Sequence, residues 1–165
     1  MAVLPFVMWP DKRLRSKAAE VPEITDEIRT IWDDMIETMD AMPGLGLAAP
    51  QIGILKALAV ADVTPGRNRR IRLANPVLID ASPETQSTHE GSPNLPGLSA
   101  PISRAKRITV RFLNEEGVID RRDFKDLEAR SVLHQMDHLQ GRMYFDNLGP
   151  VKRDMLLRKY RKTRR

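Results

Sequence analysis

The amino-acid sequence predicts an α+β domain with mostly antiparallel β-sheets around a central helix, and with further helices towards its N and C termini. Three observations predict this class. Helical periodicity occurs in three separate segments, short strand-like segments lie between the first two, and turn residues separate consecutive strands. The 165 residues contain no internal repeat, linker or low-complexity segment, so we expect one domain that spans residues 1–165.

The first helix is predicted over residues 25–42, and the predicted strands follow it. Thr25 is suited to cap it, apolar side chains recur at helical spacing, and a Pro-Gly pair ends it. Residues 82–103 are rich in Ser, Pro, Gly and Asn, so we expect irregular structure there, apart from a short extended piece near Glu90. Short strands are predicted at residues 57–61, 71–74, 77–80, 106–113 and 118–122.

Two more helices are predicted in the second half of the chain. Asp123 is expected to cap the first of them, which reaches about Gln140. Pro150 suits the first position of the last helix, which continues into a basic tail over residues 150–165. Eight of the last fourteen residues are Lys or Arg, so the net charge of +5 belongs to this tail and not to the rest of the domain.

The composition excludes several classes of protein. The chain has no cysteine, which excludes disulfides and removes the thiolate, the best soft ligand for zinc or iron. The apolar N-terminal segment is short, contains two prolines and has no preceding basic residue, so it is neither a typical signal peptide nor a membrane span. We therefore expect a cytoplasmic protein that binds neither a membrane nor DNA.

A histidine pair is the most informative local pattern. His134 and His138 stand four residues apart on a predicted helix, so they share one face and are suited to bind one metal ion. In zinc hydrolases with this spacing, a glutamate directly after the first histidine acts as the general base. Gln135 occupies that position here, and its amide cannot accept a proton near neutral pH.

Three segments together resemble the motifs of the peptide deformylase family. Gly-Leu-Gly-Leu-Ala-Ala-Pro-Gln at residues 44–51 is similar to the first motif, G-x-G-L-A-A-x-Q. Glu-Gly-Ser-Pro-Asn-Leu-Pro at residues 90–96 resembles the second, E-G-C-L-S-x-P, and His-Gln-Met-Asp-His at residues 134–138 resembles the third, H-E-x-D-H. The motifs have the family's order and separation, so the resemblance covers nearly the whole chain and implies the deformylase fold.

The resemblance also implies an activity and a role for each motif position. Deformylases use a divalent metal to remove the formyl group from the N-terminal formyl-methionine of new proteins. By position, the metal ligands would be Ser92, His134 and His138, and the general base would be Gln135. The remaining implied roles are two oxyanion donors, the Gln51 amide and the backbone of Pro93, and a peptide-binding segment that consists of Gly44, Leu45, Gly46 and Gln51.

Three of these positions depart from the family pattern. Ser92 replaces the thiolate, Gln135 replaces the base, and Pro93 has no backbone N–H to donate to an oxyanion. We therefore expect a weakly active or inactive deformylase-like protein, with no bound cofactor or at most one divalent ion (iron, zinc or nickel). The alternative is an active hydrolase of formyl-peptides or another N-acyl amide, with a site of two histidines and either Ser92 or water.

Several roles stay open at the level of the sequence. The histidine pair either binds a metal or forms a hydrogen-bonded polar core. Gln51 either donates to a bound peptide carbonyl or braces its own loop. Arg130 lies in a stretch that lines the methionine pocket of the family, where it would close the pocket, attract an acidic group, or point to solvent. Glu90 and Arg104 are suited to form a structural ion pair.

The expected partners follow from the same features. A groove of the deformylase type would bind an N-terminal peptide or a nascent chain. The basic tail over residues 150–165 is either a solvated surface or a contact with ribosomal RNA phosphates, as the C-terminal helix of bacterial deformylases suggests.

Overall fold

The computed structural model describes residues 2–164. Thr25 caps helix α1, as predicted, because its hydroxyl accepts a hydrogen bond from the backbone N–H of Ile28. The helices and strands, in chain order, are α1 (Asp26–Ala41), β1 (Gly46–Ala48), β2 (Leu58–Ala61), β3 (Ile71–Ala81), β4 (Thr85–Glu90), β5 (Ala100–Ala105), β6 (Arg107–Leu113), β7 (Ile119–Lys125), α2 (Asp126–Leu139) and α3 (Pro150–Thr163).

Two antiparallel sheets confirm the predicted fold class. Five strands pair in the order β1-β2-β3-β6-β7, and β4 pairs with β5 in a separate two-stranded sheet. Strand β1 therefore lies at the edge of the larger sheet, and β4 has a partner on one side only. Both edges leave backbone groups free to pair with another extended chain.

Helix α2 is the central helix, because one of its faces packs on the larger sheet. Ala129, Val132 and Leu139 are buried in a core cluster with residues of β2, β3, β6 and β7. Helix α1 packs Trp32 and neighbouring side chains against β1 and β2 in a second cluster. These two apolar contacts fix the first and third motifs relative to one another, since β1 belongs to the sheet on which α2 packs.

Three features of the fold differ from the sequence-based predictions. Residues 82–103 contain more strand than predicted: the short extended piece expected near Glu90 is β4, and β5 begins at Ala100. The strands predicted at 71–74 and 77–80 are one strand, β3, with irregular register at two points opposite β6. Asp123 does not cap α2; it lies in β7, where its carboxylate accepts a hydrogen bond from the Thr109 hydroxyl at 2.6 Å, and α2 begins three residues later.

Helix α3 begins at Pro150, as predicted, and is held by one apolar face. Leu156 and Tyr160 are buried in a third cluster, with Leu95, Ile102 and the aromatic residues after α2. The basic side chains of α3 lie mostly on its exposed faces. No helix within residues 2–164 combines the length and the apolar character needed to cross a membrane.

Candidate active site

A groove of about 390 Å³ lies between β1, the end of β4 and helix α2. We call it the motif groove because it brings the three sequence motifs together. Gly44, Leu45, Gly46 and Gln51 line it from the first motif, Ser92 and Pro93 from the second, and His134 and Gln135 from the third. His138 lies behind His134 and is 1% exposed. Every candidate residue predicted from the sequence is thus in the groove or directly behind it.

The two histidines face each other across 3.2 Å between their Nε2 atoms. They share one face of α2, as their spacing predicts. The Nδ1 atom of His134 lies 2.8 Å from the Glu90 carboxylate, which accepts its proton in a hydrogen bond. When His134 is neutral, this hydrogen bond places its lone pair on Nε2, and His138 then donates from its own Nε2 in the pair. Burial, and then the charges of His134 and Arg104, hold the pKa of His138 well below its usual value.

Glu90 is the charged centre beneath the groove. Its carboxylate accepts two hydrogen bonds from Arg104, at 2.6 and 2.8 Å, and further ones from Arg130 and His134. Burial alone would raise the pKa of Glu90, but the hydrogen bonds and charges of Arg104 and His134 outweigh it and lower the pKa to about 2. The predicted ion pair with Arg104 is confirmed, and it belongs to a larger network.

Arg130 does not point to solvent, which was one of the alternatives left open. Its guanidinium donates to Glu90 and to the backbone carbonyls of Ile102 and Gln86, and the residue is 8% exposed. The positive charge of Arg130 is therefore paired within the contact between α2 and the β4–β5 sheet. Arg130 also lines the wall of the motif groove.

Asn94 joins the first two motifs and is completely buried. Its Oδ1 accepts hydrogen bonds from Gln51 Nε2 at 2.7 Å and from the Ser92 hydroxyl at 3.0 Å. Its Nδ2 donates to the carbonyls of Val7 and Gln51. The other end of the Gln51 amide, Oε1, accepts from the backbone N–H of Ala48 at 2.9 Å. Gln51 therefore braces its own loop, and one hydrogen of its Nε2 remains for a ligand.

The comparisons with known proteins agree with this geometry. The family model described as polypeptide deformylase matches residues 3–154. The chain belongs to the peptide deformylase family. It is 42% identical over 165 residues to a protein named peptide deformylase from Hamiltonella defensa subsp. Acyrthosiphon pisum, with 100% of this chain and 96% of the relative covered. A peptide deformylase from Xylella fastidiosa (strain M12) is 40% identical over 168 residues, with coverage of 100% and 98%.

Solved structures of deformylases have the same fold. The peptide deformylase from Ehrlichia chaffeensis in complex with actinonin superposes with a TM-score of 0.93 at 36% identity, covering 100% of this chain and 99% of the other. The peptide deformylase from Thermus thermophilus gives a TM-score of 0.89 at 36% identity, with coverage of 97% and 94%. The deformylase fold predicted from the motifs is therefore confirmed.

Deformylases are metal-dependent, but the donors present here do not fit a complete site of the family's kind. The Nε2 atoms of His134 and His138 converge as two ligands of one ion would. The third position has only the Ser92 hydroxyl, whose hydrogen is donated to Asn94. Glu90 faces the opposite nitrogen of His134 and is neutralised by arginines. Within residues 2–164, no three or more His, Cys, Asp or Glu side chains form a group that could hold an ion.

The other two departures from the family pattern lie at the groove surface or just below it. Pro93 lines the groove and supplies no amide hydrogen. Gln135 is 5% exposed, and its Oε1 is buried with no hydrogen-bond partner among the residues described. A methyl group on Gly46 would lie 2.6 Å from Gln135 Nε2, so a larger residue in β1 would displace the Gln135 side chain of α2.

The role of Asn94 in holding the first two motifs together was not predicted from the sequence. Its position could have indicated this role, because Asn94 stands where the second motif of the family has serine. Its partners lie far away along the chain, at Val7 and Gln51, so only the folded structure reveals how many groups it holds.

Proposed function

We propose that this deformylase-family protein binds the N-terminal end of a nascent peptide in the motif groove, and that it removes a formyl group weakly or not at all. Ser92, Pro93 and Gln135 carry the proposal, because each changes a different element of one mechanism. The protein would then be a pseudoenzyme of its family that keeps the binding surface. The cytoplasmic location predicted from the sequence remains part of this proposal.

Peptide binding is supported by the backbone N–H and C=O groups at two strand edges, which are present whatever the side chains are. Strands β1 and β4 are both sheet edges, and residues of both line the motif groove. An extended peptide between them would pair with main-chain groups, which is the usual mode of strand addition. The spare hydrogen of Gln51 Nε2 is available to a carbonyl oxygen at the peptide's end, because Ala48 and Asn94 fix the amide from both sides.

Impaired hydrolysis is supported by the chemistry of the same three positions. The loss of one oxyanion donor, here at Pro93, typically costs about 3 kcal/mol of transition-state stabilisation. General acid–base catalysis contributes roughly 10²- to 10⁴-fold, and Gln135 cannot provide it. These effects act on one mechanism and are not additive. Since Ser92 also replaces the thiolate, we propose that the protein holds no tightly bound metal ion.

Calorimetry and formate detection together test this proposal. A formyl-methionyl tripeptide is titrated into the native protein, and formate is then measured after long incubation at the same concentrations. We expect saturable binding with little or no formate. Rapid formate release would contradict the impaired activity, and the absence of binding would contradict the peptide groove.

A second candidate function is an active hydrolase with a two-histidine metal site. It is favoured by the 3.2 Å approach of the two Nε2 atoms and by the orientation that Glu90 gives to His134. Ser92 or water would be the third ligand, and formyl-peptides or other N-acyl amides would be the substrates. Purification in the presence of iron, zinc or nickel separates the candidates, because this one requires a stoichiometric ion that dialysis does not remove.

We also propose, as a separate contact, that the basic tail binds RNA phosphates. Arg158, Arg161 and Lys162 are exposed on α3, which supports an electrostatic contact. Ribosome co-sedimentation at stepped salt concentrations tests it. Retention should fall steeply with salt and should be lost when these three residues are changed to glutamine; retention that is insensitive to both would contradict it.

A further inference from the structure

A second, smaller cavity of about 220 Å³ lies between helix α3 and the segment that begins β5. We call it the distal cleft. Its lining includes Leu98, Leu148, Leu156, Met155 and two lysines, Lys152 and Lys159. The volume is below the range usual for small-molecule sites, so it suits one or two peptide side chains and not a cofactor.

The distal cleft is directly adjacent to the motif groove. His89 lines the groove, and its Nδ1 lies 3.3 Å from the hydroxyl of Ser99, which lines the cleft. His89 is also the cross-strand partner of Pro101, another cleft residue. Side chains of such a pair lie on the same face of the sheet. The two cavities are therefore neighbours beside the β4–β5 pair, with His89, Ser99 and Pro101 between them.

The chemistry of the cleft indicates what it would bind. Its leucine and methionine side chains offer apolar contact, and Met155 is 57% exposed although it lines the cavity. Lys152 and Lys159 have no ion-pair partner within residues 2–164, and no acidic residue lines the cleft. An apolar side chain next to a carboxylate would match this arrangement, because the carboxylate would meet two uncompensated ammonium groups.

We propose that the distal cleft binds the downstream residues of the same peptide whose N-terminal end lies in the motif groove, and that it selects an apolar residue adjacent to Asp or Glu. This inference rests on the proposed peptide-binding function. The occupant is the continuation of the bound peptide because the groove and the cleft share the His89–Ser99 contact. The cleft would thereby give the groove a sequence preference that the formyl-methionyl end alone cannot provide.

Binding of matched peptides tests the proposal. A formyl-methionyl tripeptide is compared with ten-residue extensions that carry a Leu-Glu pair at successive positions, and with the same extensions carrying Ser-Gln. We expect one or two positions of the Leu-Glu pair to lower the dissociation constant about tenfold relative to the tripeptide. The Ser-Gln extensions should bind as the tripeptide does.

Charge reversal on α3 distinguishes binding in the distal cleft from general electrostatic attraction of the peptide to the helix. The Lys152→Glu/Lys159→Glu double variant should lose the tenfold gain and keep the affinity for the tripeptide. The matched control, Arg158→Glu/Lys162→Glu, has the same change of net charge on the same helix but lies outside the cleft lining. It should keep most of the gain. Both pairs are exposed, so neither change should affect folding.

The outcomes distinguish the cleft from the groove. A tripeptide that fails to bind contradicts the proposed function itself. A tripeptide that binds, with no gain from any extension, contradicts only the distal cleft. An equal loss in the two charge-reversal variants also contradicts the cleft, because it would mean that the peptide responds to the overall charge of α3.

Discussion

The side-chain amide of Gln51 donates a hydrogen bond to Oδ1 of Asn94 across 2.7 Å, and this contact links the first motif to the second. The same Oδ1 accepts from the Ser92 hydroxyl. Asn94 thus holds two groups that would face the substrate in the deformylase mechanism. The contact keeps the oxyanion donor of the first motif oriented, and it also uses the only hydrogen of the hydroxyl at the former thiolate position.

Replacing Asn94 with alanine should destabilise the protein strongly. The side chain makes four buried hydrogen bonds, to Gln51, Ser92 and two backbone carbonyls, and their loss leaves buried polar groups without partners. We expect a loss of about 3 kcal/mol in the free energy of unfolding, measured by urea denaturation. Asn68→Ala is the control, since Asn68 is exposed. A change in Asn94→Ala as small as in the control would contradict this role.

Glu90→Gln should also be strongly destabilising, because it leaves the buried guanidinium groups of Arg104 and Arg130 without their carboxylate. Removal of one member of a buried ionic network costs roughly 3–5 kcal/mol. Glu84→Gln is the matched control beside the same strand pair; its contacts with Lys106 and Arg107 are exposed, so we expect a change below about 1 kcal/mol. Chemical denaturation compares the two variants, and equal losses would be inconsistent with the network.

The stability of the protein should decrease in acid because of Glu90. Its folded-state pKa of about 2 lies below the ordinary value of 4.5, so the folded protein binds fewer protons at this group than the unfolded chain does. The resulting stabilisation, about 3 kcal/mol, is complete above the ordinary pKa and is lost as the pH falls towards 2. Unfolding at stepped pH values measures it. The Glu90→Gln variant should lose less stability than the native protein over this interval, and identical profiles would refute the assignment.

Gly46→Ala should damage the motif groove. The added methyl group would meet Ser131 Oγ at 2.5 Å and Gln135 Nε2 at 2.6 Å, so these two buried side chains must move. We expect a loss of about 1–3 kcal/mol in stability from overpacking. Affinity for the formyl-methionyl tripeptide should decrease at least about tenfold. Gly149→Ala is the control, because nothing lies within 4 Å of the added atom. Unchanged peptide affinity in Gly46→Ala would argue against pairing along β1.

The fold was predictable where local sequence and tertiary packing favour the same structure. Helix α1 has both a capping threonine and a continuous apolar stripe, and its cap was predicted correctly. The extended piece predicted near Glu90 is strand β4, but its full length was not predictable, because five of its six residues are exposed and polar and no alternation of apolar and polar residues marks it. Its pairing with β5 forms it instead. Asp123 satisfies the local rule for a helix cap, yet pairing between β6 and β7 keeps it in a strand.

The candidate site, like the fold, has features that the sequence predicted and features that it did not. The positions of His134, Gln135, Ser92 and Gln51 followed from the motifs, because each motif fixes the chemistry of its own residues. The hydrogen bonds that orient them did not follow, since they join residues distant in the chain. Arg130 illustrates this: its partners include Glu90, 40 positions away, so the sequence could not decide between solvent and the groove wall.

Formate release by the native chain beside a Ser92→Cys/Pro93→Leu/Gln135→Glu variant is the most direct test of the central claim. Both proteins are loaded with the same divalent metal and assayed with the same formyl-methionyl peptide, and metal content is measured in each. We predict that only the triple variant retains a stoichiometric ion and releases formate with repeated turnover. Comparable rates for the two proteins would contradict the claim that these three residues disable the site.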